Sequence, residues 1–187
     1  MNKDRRFAAL FPLLILFGVL AAIFWSWIFT FLTDTAPENK ITLYADVPAV
    51  AERALAVELE KALPEGLKMV QVHPFSYAMF GGDALRAADL YIIRASDLSE
   101  HPEWFAPLPE DLRDRADLFT PDGVPVGIRV HDPETGKTAA GAFLTTGKPG
   151  VPDEPLWLCF GAKSVHLPDD PEKVSSLPVA ERLLALE

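Results

Sequence analysis

Cysteine is nearly absent from this sequence, in which Cys159 stands alone among 187 residues. A single thiol excludes an intramolecular disulfide, so the fold must be held together by packing. Cys159 lies within the apolar run 155–160, which predicts a buried, structural thiol. A nucleophilic cysteine, with His166 or His73 as its base, would need an accessible and electropositive site, and the apolar run argues against that role.

Motifs for cofactors and metals are also lacking. The glycine pair at 81–82 is followed neither by the Lys-Ser/Thr of a phosphate-binding loop nor by a dinucleotide-binding pattern, so no nucleotide cofactor is indicated. The four histidines lie far apart, without the paired spacing of zinc ligands. They are His73, His101, His131 and His166. The sequence therefore predicts a binding protein rather than an enzyme, with no cofactor and no metal.

Charge is missing from residues 7–32, which read FAALFPLLILFGVLAAIFWSWIFTFL. A helix of this length rises about 39 Å, at about 1.5 Å per residue, and exceeds the ~30 Å hydrocarbon core of a bilayer. The run is longer than the apolar region of a cleaved signal peptide, which is the alternative, and no clean cleavage site follows it. We therefore predict a retained transmembrane anchor.

The charges on either side of this run predict its orientation. Three basic residues lie within positions 1–6, whereas the acids Asp34 and Glu38 follow the run. The positive-inside rule places residues 1–6 in the cytoplasm. Residues 33–40 then form a linker, and residues 41–187 form one extracellular domain of a single-pass protein in the cell membrane.

The part of the chain after the run is strongly acidic. Removing the three basic residues and one acid that precede the run leaves 14 of 17 basic and 26 of 27 acidic residues, a net charge of −12. Such a surface repels phosphate backbones, which argues against nucleic acid as a partner. It is also repelled by anionic lipid headgroups, so the domain is expected to stand off the membrane.

The first half of the domain alternates between strand and helix patterns. The predicted elements are a strand at 41–45, a helix that Asp46 caps with Pro48 in its first turn, a strand at 67–72, a short helix at 83–88 and a strand at 89–93. This order, with short connections, predicts a mainly parallel sheet flanked by helices.

The second half contains more turn signals. A short helix is predicted near 109–115, and the other predicted elements follow along the chain. They are a strand at 126–131, a turn at 132–137, a hairpin partner within 138–144, a strand at 156–160 and an amphipathic helix at 177–186. The domain is thus predicted to be α/β, with a mixed and mainly parallel sheet.

The order of these elements resembles the first lobe of bacterial extracellular solute-binding proteins, the type that delivers sugars to ABC transporters. Five segments carry the resemblance. They are Ile41-Thr-Leu-Tyr-Ala45, Ala87-Ala-Asp-Leu-Tyr-Ile-Ile93, Asp122-Gly-Val-Pro-Val-Gly-Ile128, Trp157-Leu-Cys-Phe-Gly-Ala-Lys-Ser164 and Val179-Ala-Glu-Arg-Leu-Leu184. The resemblance implies a single periplasmic-binding-protein-like lobe over 41–187. Members of the family have two lobes and bind ligand between them, whereas here the tight turn at 132–137 occupies the place of the second lobe.

Ligands of open α/β sheets lie outside the carboxyl ends of the parallel strands. The loops at these ends predict a polar and aromatic half-site. Its candidate residues are Asp46, Ser76, Tyr77, Asp83, Ser96 and Asp97. The alternative is that Asp46 and Asp83 cap helices and that the others are ordinary loop residues.

Three functional hypotheses follow. The first is a non-catalytic, membrane-anchored module that docks on another envelope protein, which an apolar aromatic patch around 74–80 would favour. The second is weak or assisted binding of a sugar-like solute with an ABC transporter, which convergent polar groups at the strand ends would favour. The third is a hydrolase, which a reactive thiol would support.

Overall fold

The structure is a computed structural model that describes residues 12, 15–28, 35–75, 83–147, 153–168 and 174–186. The chain divides into two units, an N-terminal unit that ends at Ala36 and a larger unit, Pro37–Glu187. In the N-terminal unit, residues 15–28 are helical and most of their side chains are exposed. Within the described part of the chain, no helix is both long enough and apolar enough to cross a membrane. The predicted anchor at 7–32 extends outside the described residues at both of its ends.

The larger unit contains strands and helices in alternation. Its strands are β1 (Lys40–Ala45), β2 (Ala49–Val50), β3 (Met69–Pro74), β4 (Leu90–Arg94), β5 (Phe105–Ala106), β6 (Leu118–Phe119), β7 (Gly127–Asp132), β8 (Lys137–Thr138), β9 (Leu144–Thr145) and β10 (Leu156–Gly161). Its helices are α1 (Glu52–Glu60), α2 (Asp83–Arg86), α3 (Ala95–Glu100), α4 (Glu110–Arg113) and α5 (Leu177–Leu184).

The strands form one large mixed sheet in the order β3-β1-β4-β10-β7-β6. Strand β1 pairs in parallel with both β3 and β4, as the alternating pattern of the first half predicts. Strand β10 then pairs antiparallel with both β4 and β7, so it lies near the middle of the sheet. The predicted fold class is confirmed as α/β with a mixed sheet flanked by helices. Among the described strands of this sheet, parallel pairing is confined to β3, β1 and β4.

Successive side chains along the central strands enter two different cores, because strand side chains alternate between faces. Leu90 and Ile92 belong to the larger core. Tyr91 and Ile93 belong to the smaller core on the other face. Helices α1 and α5 pack on the larger core through residues that include Leu55 and Leu59 on α1 and Val179 and Leu183 on α5. The fold is therefore held by two layers of buried side chains.

Cys159 lies in the smaller core and is fully buried. Burial raises the pKa of its thiol well above the ordinary value, which opposes the thiolate that nucleophilic attack requires. The prediction of a structural thiol is confirmed.

The predicted helix cap at Asp46 is wrong. Helix α1 begins at Glu52, six residues later, and Ala51 occupies the N-cap position without a side-chain hydrogen bond. Between Asp46 and α1 the chain forms β2, which pairs with β9, so Pro48 does not lie in the first turn of α1. Asp46 instead forms an ion pair with Arg94, and this long-range partner replaces the local one.

The predicted hairpin after β7 is confirmed only over a short length. Strand β8 pairs Thr138 with His131 and Lys137 with Asp132. At Ala140 the backbone has a φ of 56°, in the left-handed region, and the chain turns away to form β9. Helix α3 was not predicted, whereas α4 lies within the predicted segment 109–115.

Candidate functional site

The parallel part of the sheet brings several polar residues to one edge. Strands β1, β4 and β7 all end there, and β10 begins there, since Leu156 lies opposite both Arg94 and His131. We call this group the polar edge. It comprises Asp46, Arg94, Ser96, Asp97, His131, Asp153 and Glu154. In open α/β sheets this is the side on which ligands bind.

An ion pair joins the ends of β1 and β4. Arg94 Nε lies 3.0 Å from Asp46 Oδ2, and the two side chains are 35% and 14% exposed. The backbone fixes this register, because the Asp46 N–H donates to the Ile92 carbonyl at 2.8 Å. Arg94 therefore remains accessible to solvent while holding a carboxylate that is largely buried.

Asp97 on α3 places a second carboxyl group beside this pair. Asp97 is only 4% exposed, and burial raises its pKa to about 6, with a further contribution from the Asp46 carboxylate. Burial also raises the pKa of Asp46, against the opposing effect of Arg94. Two neighbouring carboxylates in a poorly solvated site resist double ionisation, so the pair titrates as a unit.

The oxygen atoms of this pair indicate where the proton lies. Oδ2 of Asp46 and Oδ2 of Asp97 are both buried, and apart from the ion pair of Asp46 with Arg94 neither makes a well-oriented hydrogen bond within the described part of the chain. A proton held between the two carboxyl groups gives each one a partner. Below about pH 6, where Asp97 is protonated, the pair carries one negative charge, which Arg94 balances.

His131 occupies the next position along the edge. Its Nδ1 lies 2.8 Å from Thr138 Oγ1 and its Nε2 lies 2.9 Å from Asp153 Oδ2. Both ring nitrogens are therefore engaged, and the imidazole is buried. Glu154, the residue after Asp153, raises the pKa of both Asp46 and Asp97 by charge repulsion, so the two halves of the edge are electrostatically connected.

The residues proposed for the half-site occupy different parts of the structure. Asp46 and Asp97 come together, and Ser96 is exposed beside them on α3. Asp83 is the first residue of α2, which precedes β4. Ser76 and Tyr77 lie outside the described residues.

Four members of the polar edge were not among the predicted site residues: Arg94, His131, Asp153 and Glu154. Arg94 and His131 stand at strand ends, and this position is the signal that could have identified them. Asp153 lies between a Gly/Pro-rich loop and β10, and nothing in its local sequence indicates that it reaches His131.

A second polar cluster lies in the interior, where β4 begins. Ser164 Oγ donates to Asp89 Oδ1 at 2.5 Å, His166 Nδ1 lies 3.0 Å from the same oxygen, and the Thr42 N–H donates to Asp89 Oδ2 at 2.7 Å. His166 Nε2 lies 3.4 Å from the Glu38 carbonyl oxygen. We call Asp89, Ser164 and His166 the buried network.

The buried network contains the residue types of a hydrolytic triad but not its arrangement. In a triad the histidine accepts the serine proton, whereas here the Ser164 hydroxyl donates to Asp89. All three side chains are buried, so water and substrate have no access to them. The network instead ties Glu38, near the start of the folded unit, to β1, β4 and the segment after β10.

The described residues contain no group of three or more His, Cys, Asp or Glu side chains placed to hold a metal ion. No protein-family model matches the chain, and no curated protein resembles it at a significant level. The polar edge and the buried network are therefore interpreted from their own chemistry.

Proposed function

We propose that this protein is a membrane-anchored, non-catalytic extracellular module that docks on another envelope protein through its polar edge. Convergent polar groups at the strand ends were expected to favour a solute, but Asp46 is already paired with Arg94 and Asp97 is buried. The observation that carries the docking proposal is that the polar edge presents Arg94 and Ser96 to solvent as an exposed surface. The element order resembles that of the first lobe of solute-binding proteins. This resemblance supports the assignment of the binding surface to the same side of the sheet. A lobe without its partner lobe leaves this side open to another protein.

The anchor in this proposal rests on the sequence. Residues 7–32 are uncharged and apolar, and the basic residues precede them. The docking function is therefore assigned to the domain that follows this run.

A non-catalytic role agrees with the state of the reactive side chains. The Cys159 thiol is fully buried, the Ser164 hydroxyl donates to a carboxylate, and both nitrogens of His131 are engaged. Each of these groups is committed to packing or to hydrogen-bond partners within the fold.

Site-specific photo-cross-linking in the native membrane tests the docking proposal. A photoreactive amino acid replaces Ser96, which is exposed at the polar edge. The matched control replaces Thr120, also exposed, which follows β6 at the opposite edge of the sheet. We expect a discrete protein adduct from position 96 and none from position 120. Equal adducts, or none at position 96, would contradict the proposal.

The alternative function is weak or assisted binding of a sugar-like solute together with an ABC transporter. The observation that favours it is the pairing of Asp46 with Arg94, because carboxylates and guanidinium groups are suitable partners for sugar hydroxyls. Thermal-shift measurements on the full-length protein with D-glucose and maltose test it. A saturable shift that Arg94→Gln removes, without an adduct at position 96, would favour the solute over the protein partner.

A further inference from the structure

A cavity of about 500 Å³ lies beside the outer edge of β7, between the points where β6 and β8 pair with this strand. Its size falls within the ~300–1,000 Å³ range of small-molecule sites. Residues of β7, β8 and the C-terminal segment line it. It shares His131 with the polar edge but opens around a different residue, Arg129.

Arg129 has unused hydrogen-bonding capacity. Its guanidinium group lies over the Trp157 ring, with Cζ 5.2 Å from the ring centroid, and this contact holds the side chain in place. The carboxylates of Asp117 and Asp132 lie 3.8 and 3.9 Å away, too far for hydrogen bonds. Arg129 Nε is buried and has no hydrogen-bond partner in the ranges that the structure describes.

This planar group of donors matches a carboxylate, which arginine binds in bidentate fashion. The charged lining is balanced, with Asp117 and Asp132 against Arg129 and Lys137. A balanced set of charges favours a ligand that carries both a carboxylate and a positive group over one with several negative charges, such as a phosphate ester.

Asp132 is suited to receive that positive group. It accepts hydrogen bonds from the Thr135 hydroxyl at 2.8 Å and from the Glu134 N–H at 3.0 Å. These bonds lower the pKa of its carboxyl group, so Asp132 is ionised at neutral pH. Asp117 is 62% exposed and adds a second negative charge at the rim of the cavity.

The rest of the lining includes apolar side chains. Val130 belongs to the larger core, and Ala139, Leu184 and Leu186 pack against that core while remaining partly exposed. A ligand that fills the cavity therefore meets charged groups of both signs and an apolar surface.

We propose that this cavity binds a free α-amino acid with an apolar side chain. The α-carboxylate pairs with Arg129, the α-ammonium with Asp132 and Asp117, and the side chain contacts Leu184 and Leu186. This inference is independent of the docking function, because the exposed position 96 that tests docking is not part of the cavity.

Calorimetric titration of the full-length protein in detergent tests the inference, with L-leucine as the probe. Two analogues separate the charges: 4-methylpentanoate lacks the ammonium group, and 3-methylbutylamine lacks the carboxylate. Hydrogen bonds between charged groups contribute strongly to the binding free energy. Losing the contacts of either the carboxylate or the ammonium group is therefore expected to weaken binding by at least about tenfold. We expect saturable binding of L-leucine and much weaker binding of both analogues.

Variants locate the site. Arg129→Gln is expected to weaken L-leucine binding by at least about tenfold. Asp132→Asn is expected to weaken the binding of L-leucine but not that of 4-methylpentanoate, which has no ammonium group. Arg113→Gln, an exposed arginine on α4 that does not line the cavity, is the control and is expected to bind as wild type. If Arg129→Gln does not fold, Arg129→Lys keeps the charge and removes the bidentate fork, and it should still weaken binding.

Three results would overturn the inference. The first is the absence of saturable L-leucine binding at millimolar concentration. The second is equal binding of L-leucine and 4-methylpentanoate. The third is unchanged binding in the folded Arg129 variant.

Discussion

The carboxyl group of Asp97 is buried, and its ionised form is unfavourable there. Its folded pKa of about 6 exceeds the ordinary 3.8, so its contribution to stability is fully present below about pH 3.8 and is lost as the pH rises through about 6. Asp97→Asn cannot ionise, and its amide can donate to Asp46. We therefore expect this variant to be more stable than wild type at pH 7.5, by about 1–3 kcal/mol.

Urea unfolding of the full-length protein at pH 4 and pH 7.5 measures this difference. The advantage of Asp97→Asn should shrink towards pH 4, where the wild-type carboxyl group is protonated as well. Asp111→Asn, an exposed site on α4, serves as the control. A loss of stability in Asp97→Asn at pH 7.5 would contradict the raised pKa of Asp97.

His166 gives a second pH dependence with the same sign. Its hydrogen bond with Asp89 raises its pKa, against the opposing effect of burial. The stability that it contributes is fully present below the ordinary histidine value of about 6.5 and is lost as the pH rises through the raised folded value. His166→Gln should therefore have a lower free energy of unfolding than wild type at pH 6, and this difference should be smaller at pH 9.

Ser164→Ala is the matched variant for this measurement, because it removes the hydroxyl but leaves the imidazole beside Asp89. It should be less stable than wild type and should keep the pH dependence. A pH-independent gap between wild type and His166→Gln would show that the imidazole acts only through packing.

At the scale of the element, β10 depends on a glycine at its end. A Cβ atom at Gly161 would lie 2.0 Å from the Ala88 carbonyl oxygen, which is backbone and cannot move aside cheaply. Gly161→Ala is therefore expected to cost about 3 kcal/mol or more. At Gly147 an added Cβ meets nothing within 4 Å, so Gly147→Ala should change stability little. Thermal unfolding of the two variants checks this, and equal melting temperatures would contradict it.

The elements that the sequence predicts well are those with a strong periodic pattern. Strands β1 and β4 and helix α5 are buried apolar runs or amphipathic stretches, and local pattern alone identifies them. The start of α1 was misplaced because β2 pairs with β9, about 95 residues further along, and no local signal reports such a pairing. The same reason explains the site: Asp46 and Asp97 follow predictable strands, whereas the contact between His131 and Asp153 is fixed only by the sheet.

At the scale of the whole molecule, the proposed membrane topology can be tested directly. A cysteine replaces exposed Ser96 or, as the cytoplasmic control, Asn2, while native Cys159 is buried and does not compete for reagent. We expect a membrane-impermeant maleimide to label Ser96→Cys in intact cells. Labelling of Asn2→Cys should require permeabilisation. The reverse pattern would contradict the proposed topology.

The strand order has a consequence for biosynthesis. Strand β4 ends at Arg94, but β10, its neighbour towards the middle of the sheet, begins only at Leu156. The apolar edge of β4 therefore stays unpaired while the ribosome makes the intervening residues, and chains in that state are prone to aggregate. The sheet is therefore completed late in synthesis. A chain truncated before residue 161 would lack part of β10 and could not complete its hydrophobic core.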